Sequence, residues 1–107
     1  MAESKADWTK MLRDFTERNA GRRARIESDD IESGVQQQAT AVELRGVDYD
    51  PRDGSVEIML GAQGAGADHV THTVRGVESV ELARTDEGKD RTLRIAHPGG
   101  QMLLHLE

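Results

Sequence analysis

One segment concentrates the side chains that could do chemistry: Asp68-His69-Val70-Thr71-His72-Thr73-Val74. Two imidazoles and a carboxylate are donor types of a divalent-metal site. The spacing opposes convergence. His69 and His72 are three apart, so on a regular strand they project to opposite faces. His72 shares its face with Val70 and Val74 and reads as a partly buried, hydrogen-bonded imidazole. His69 shares the other face with Thr71 and Thr73. The chain has no cysteine, and a zinc site needs at least three protein ligands. The expectation is no metal, no cofactor and no assignable catalytic residue. Asp68, His69, Thr71, His72 and Thr73 remain the candidate polar cluster.

Other motifs fall short. Gly61-Ala62-Gln63-Gly64-Ala65-Gly66 looks superficially like a phosphate loop, but no Gly-Lys-Ser/Thr ending and no helix follow it. It reads as a Gly/Ala-rich loop. No serine sits in a Gly-x-Ser-x-Gly elbow. Asp48, Asp50 and Asp53 lack the ligand spacing of an EF-hand. His97 lies beside a Pro-Gly-Gly turn, and His105 points away from the apolar face. The basic cluster of Arg18, Arg22, Arg23 and Arg25 reads as a helix C-terminus followed by an exposed strand edge.

These residues must be positioned by a simple set of elements. Ser4 to Asp7 has the pattern of a helix N-cap. Trp8, Met11, Leu12 and Phe15 then fall at helical spacing, so the periodicity predicts a helix over 5–19 that anchors on a sheet through that stripe. Gly21 suits a left-handed C-terminal cap. The remainder alternates with period 2, and strands are expected within 22–106. Ala24 and Ile26 face inward on the first, which runs over 22–29 and ends in a polar loop at 29–35. Val42 and Leu44 share one parity and Val47 and Tyr49 the other, which places a β-bulge at Arg45-Gly46. Asp50-Pro51-Arg52-Asp53-Gly54 is a turn, and Val56, Ile58 and Leu60 return inward. Another short strand covers 70–74. Val80 pairs with Ile95 and Leu82 with Leu93. His97 pairs with Met102, Ile95 with Leu104 and Leu93 with Leu106, across Gly99-Gly100. The expected class is α+β: an N-terminal helix packed on a mainly antiparallel, curved sheet or partial barrel, a meander of about six or seven strands.

The 107 residues make one expected domain, 1–107. Trp8, Phe15 and Tyr49 are the only aromatics, so aliphatic residues must build most of the core. A net charge of −6 argues against nucleic acid, whose phosphates require surplus Lys and Arg. The first 13 residues lack an apolar run and do not read as a secretion signal, and no stretch is apolar enough to span a membrane. The lack of cysteine suits a reducing cytoplasm.

The chain resembles a bacterial family catalogued as domain of unknown function 5335. Trp8 and Phe15 in the leading helix carry the likeness, with Gly46-Val47-Asp48-Tyr49-Asp50-Pro51, Val56 to Gly61 and the Asp68 to Val74 segment. The resemblance runs from about Trp8 to Leu106. It implies a bacterial source and no activity, cofactor or catalytic residue. The function expected is a non-enzymatic binding or accessory module with a protein or small-molecule partner. The alternative is a small metal-dependent or histidine-based enzyme using Asp68, His69 and His72.

Overall fold

Trp8, Met11, Leu12 and Phe15 recur at helical spacing. The computed structural model, which describes residues 5–30, 34–61 and 69–107, places all four on helix α1 (Lys5–Asn19), as the periodicity predicts. Leu12 and Phe15 are fully buried, Trp8 is nearly so, and Met11 packs against them at the margin. Gly21, at φ 92°, closes the helix.

Seven strands follow: β1 (Arg23–Asp30), β2 (Gly34–Asp50), β3 (Ser55–Gly61), β4 (His69–Val74), β5 (Ser79–Arg84), β6 (Asp90–His97) and β7 (Gly100–Leu106). They form one open, curved sheet in the order β4-β3-β2-β1-β7-β6-β5, and neighbours pair antiparallel. The fold is therefore α+β. Its strands are two meanders, β1 to β4 and β5 to β7, joined where β1 pairs with β7. A single continuous meander would not make that contact. β1 is thus interior to the sheet, which corrects the expectation that its arginines decorate an exposed edge. The polar loop expected at 29–35 is also shorter, because Asp29 pairs with Val35 and Asp30 with Gly34. Ladder hydrogen bonds use backbone groups, so a polar composition does not stop them.

The curvature has a simple cause. Six strand spacings of a flat sheet would separate β4 from β5 by about 28 Å. The link 75–78 between them can span only about 17 Å. The sheet must coil to bring its two edges toward each other, yet β4 and β5 do not pair. The link is held elsewhere: Val77 N–H donates to the Gly54 carbonyl (3.0 Å) and Glu78 N–H to the Ala96 carbonyl (2.8 Å).

Most inward positions read from alternation are buried, while Val42, Leu82 and Met102 are partly so. Ala24, Ile26, Leu44, Val56, Ile58, Leu93, Ile95 and Leu104 have no exposure, and they form one apolar cluster with α1. The register shift predicted at Arg45-Gly46 is present, between Leu44 and Gly46. It turns Val47 and Tyr49 to the same interior as Leu44. Helix α1 seats on this bulge. The Thr16 hydroxyl accepts from Val47 N–H (3.0 Å) and lies 2.8 Å from the Leu12 carbonyl, to which it can donate. Gly46 permits the approach, because a Cβ there would come within 3.2 Å of Thr16 Cγ2.

The β5–β6 register is the predicted one, Val80 with Ile95 and Leu82 with Leu93. The β6–β7 register is not. His97 pairs with Gly100, Ile95 with Met102 and Leu93 with Leu104, two residues tighter than expected. Proline explains the correction. Pro98 has no N–H to give a ladder and favours the first corner of a turn, and Gly99 accepts positive φ (101°) at the second. A slip of two leaves every side chain on its face, so burial follows the expected pattern.

Tyr49 is 3% exposed, and its ring meets Trp8 edge-on at 5.4 Å and 86°. Its buried hydroxyl finds no hydrogen-bond partner among the described residues. A hydroxyl removed from water without compensation destabilises by about 1–3 kcal/mol. Tyr49→Phe is therefore expected to leave urea stability unchanged or raise it by up to about 1 kcal/mol. A loss of more than 1 kcal/mol would mean that the hydroxyl is bonded in solution.

Candidate functional site

β4 carries most of the predicted polar cluster. It pairs on one side with β3, His72 opposite Ile58 and His69 opposite Gly61, and its other side is a sheet edge. Thr71 and Thr73 are exposed and His72 is half-buried, as alternation requires. His72 makes no side-chain hydrogen bond to a described residue, against the bonded imidazole expected. Packing against β3 supplies no acceptor, since Ile58 stands opposite. Val70 shares the His72 parity but is 49% exposed, while Val74 is buried. The interior ends before Val70. Asp68 lies outside the described residues.

The other two histidines stand apart. β7 is separated from β4 by three strands and β6 by four. His105, half-buried on β7, places Nδ1 3.2 Å from Thr92 Oγ1 and Nε2 3.8 Å from Glu27. His97 Nδ1 lies 3.2 Å from the Pro98 carbonyl. Among the described residues, no three of His, Cys, Asp and Glu gather as metal ligands. At the acidic turn, Asp50 Oδ1 accepts from Arg52 N–H (2.9 Å), which holds its carboxyl below the usual carboxylate range. That bond caps a turn, while Asp48 and Asp53 remain exposed.

The densest charged centre is one that the sequence does not announce. Asp90 opens β6 with its side chain only 2% exposed. Its Oδ2 accepts from Arg18 Nε (2.8 Å) and Asn19 Nδ2 (2.6 Å), and its Oδ1 from Arg84 Nε (3.0 Å). Arg22 donates to the Asp90 carbonyl (2.9 Å) and to Asn19 Oδ1 (2.9 Å). Burial pushes the Asp90 carboxyl up, but the hydrogen bonds from Arg18, Asn19 and Arg84 outweigh it, and its pKa falls to about 2. A groove of about 560 Å³ lies over it, lined by Arg18, Arg22 and Lys89 among others. The three side chains that donate to this carboxylate come from α1 and β5. The centre ties the end of α1 to the β5–β6 hairpin, so half of the predicted arginine cluster is structural. Asp90 looks like a turn residue in sequence, and only the basic cluster around Arg18 and Arg22 hints at a buried acid.

The profile of the Family of unknown function (DUF5335) matches residues 2–107. The chain belongs to this family. No curated protein and no solved structure matches it. The resemblance resting on Trp8, Phe15, the Tyr49-Asp50-Pro51 turn and the β4 segment is thus correct, and it extends over nearly the whole chain. DUF5335 carries no assigned activity, so its members' chemistry must be read from surfaces such as β4. No helix among the described residues of this DUF5335 chain is long and apolar enough to cross a membrane.

One contrast within the sheet bears on function. Among the described residues, both edge strands lack a partner on one side. β5 carries Glu81 and Arg84, with side chains 66% and 54% exposed, and charges of this kind blunt an edge against pairing. β4, His69-Val70-Thr71-His72-Thr73-Val74, carries no carboxylate, lysine or arginine and is rich in β-branched residues. Val70 is the one large hydrophobic side chain that is exposed among the described residues.

Proposed function

We propose that this protein is a non-enzymatic binding module that works by strand addition, taking an extended protein segment along the outer edge of β4. The observation that carries this reading is the unguarded edge: uncharged, β-branched and open, in a sheet whose other edge is charged. An added strand would satisfy the free backbone groups of β4, and Thr71 and Thr73 would pair with the small or β-branched side chains opposite them. The net charge of −6 favours a protein partner over nucleic acid. The lack of cysteine suits a reducing compartment, and the bacterial cytoplasm is the place this reading gives it.

The test uses a generic strand as probe, acetyl-Lys-Thr-Val-Thr-Val-Thr-Lys-amide, titrated into ¹⁵N-labelled protein. Saturable amide shifts are expected at 70–74 and in the facing part of β3. A probe with proline at its centre should lose them, because proline gives no ladder hydrogen bond. Absence of β4 shifts up to about 1 mM probe, weaker than the roughly −4 kcal/mol of a millimolar complex, would reject strand addition.

A further inference from the structure

We infer that the segment added to β4 is the β4 of a second copy, joined antiparallel about a two-fold axis. The inference rests on the strand-addition reading and names its occupant. Three observations support it.

The first is self-complementarity. Antiparallel pairing of His69–Val74 with itself makes only His, Thr and Val pairs and brings no like charges together. Two copies of a chain of charge −6 repel overall, and the uncharged edge adds no local repulsion of its own. The second is geometry. The sheet coils until a four-residue link joins β4 to β5, yet it stops short of closing, and the link donates its Val77 and Glu78 amides to Gly54 and Ala96 instead. A closed barrel would consume the β4 edge within one chain, and this fold leaves it available. The third is exposure. Val70 is 49% exposed on a parity where His72 and Val74 are sheltered, so a neighbouring strand at this edge would cover it.

A two-fold contact here is isologous, so the same six residues serve both sides. Six residues are far fewer than the roughly 20–30 per side of a standard interface, so association is weak and appears at high protein concentration.

Sedimentation velocity between about 10 μM and about 1 mM, the range that a millimolar dissociation constant makes informative, reads it. The intact protein is expected to move from monomer toward dimer, with amide-exchange protection rising along β4. The double variant Thr71→Lys/Thr73→Lys places lysine opposite lysine in the face-matched registers centred on Thr71, His72 or Thr73 and should weaken association about tenfold. It also lowers the net charge from −6 to −4, since two lysines are added. General repulsion therefore predicts the opposite change. An equimolar mixture with Thr71→Glu/Thr73→Glu should restore dimer, as only self-pairing demands. A monomer throughout the range overturns the second copy as occupant. If the Thr-Val probe still shifts β4 in that case, strand addition survives and only the occupant is wrong. Dimerisation that the lysine pair leaves unchanged overturns the β4 contact.

Discussion

Phe15→Ala is expected to lower stability by about 3–5 kcal/mol, the range for truncating a fully buried aromatic. Phe15 has no exposed surface, and with Leu12 it forms the centre of the helix stripe pressed on the sheet. Alanine would retain the helix but leave a cavity that the strand side chains cannot fill without breaking their register. A domain of this size has about 5–15 kcal/mol in all, so one side chain holds a large share. In urea the midpoint should fall with little change in slope, because the surface exposed on unfolding hardly changes. Trp8→Ala should fall in the same range, with the loss of the Tyr49 edge contact included. A loss under about 1 kcal/mol for Phe15→Ala would show that α1 does not cover the sheet in solution.

Asp90→Asn is the second large effect, about 2 kcal/mol at neutral pH. The figure follows from a carboxyl whose pKa drops from 3.8 unfolded to about 2 folded, at 1.36 kcal/mol per unit. Asparagine fills the same space but removes the charge that Arg18 and Arg84 share. Those arginines are half-exposed and can turn to water, which keeps the loss below that of a fully buried broken pair. The pH dependence has a definite direction. A depressed carboxyl stabilises the fold above its unfolded pKa, so the contribution is complete at neutral pH. It declines as pH falls from about 4 and is gone below about 2. Urea unfolding of both proteins at pH 7, 4 and 2.5 should show the gap closing as acid is added. A gap that stays constant across this range would mean that the charge of Asp90 is not its source.

Local order was legible wherever one short stretch of chain carried the whole signal. Trp8, Met11, Leu12 and Phe15 define a helix by spacing alone, and its ends at Lys5 and Asn19 are the observed ones. The parity change between Leu44 and Val47 locates the bulge, because side chains alternate and a break in alternation requires an extra residue. The β5–β6 hairpin follows from two apolar rows joined by a turn. The β6–β7 register slipped in the reading because apolar alternation does not distinguish a shift of two, and the position of Pro98 had to decide it. On β4, alternation separated exposed Thr71 and Thr73 from His72, but it could not tell that Val70 lies beyond the interior.

What sequence alone determined is therefore the class, the helix, the inward faces and the absence of cysteine chemistry. Tertiary structure decided which strands meet and what they shelter. β1 and β7 pair although more than 60 residues of chain separate their ends, and this contact alone turns β1 from an edge into an interior strand. Asp90 meets Arg18 across 72 residues and Asn19 across 71. No periodicity marks such a residue, since burial of a charge depends on which donors the fold delivers to it. The open edge of β4 has the same origin. Its composition is plain in the sequence, but its being unpaired follows from a strand order that only long-range pairing sets, and a short link that coils the sheet without closing it.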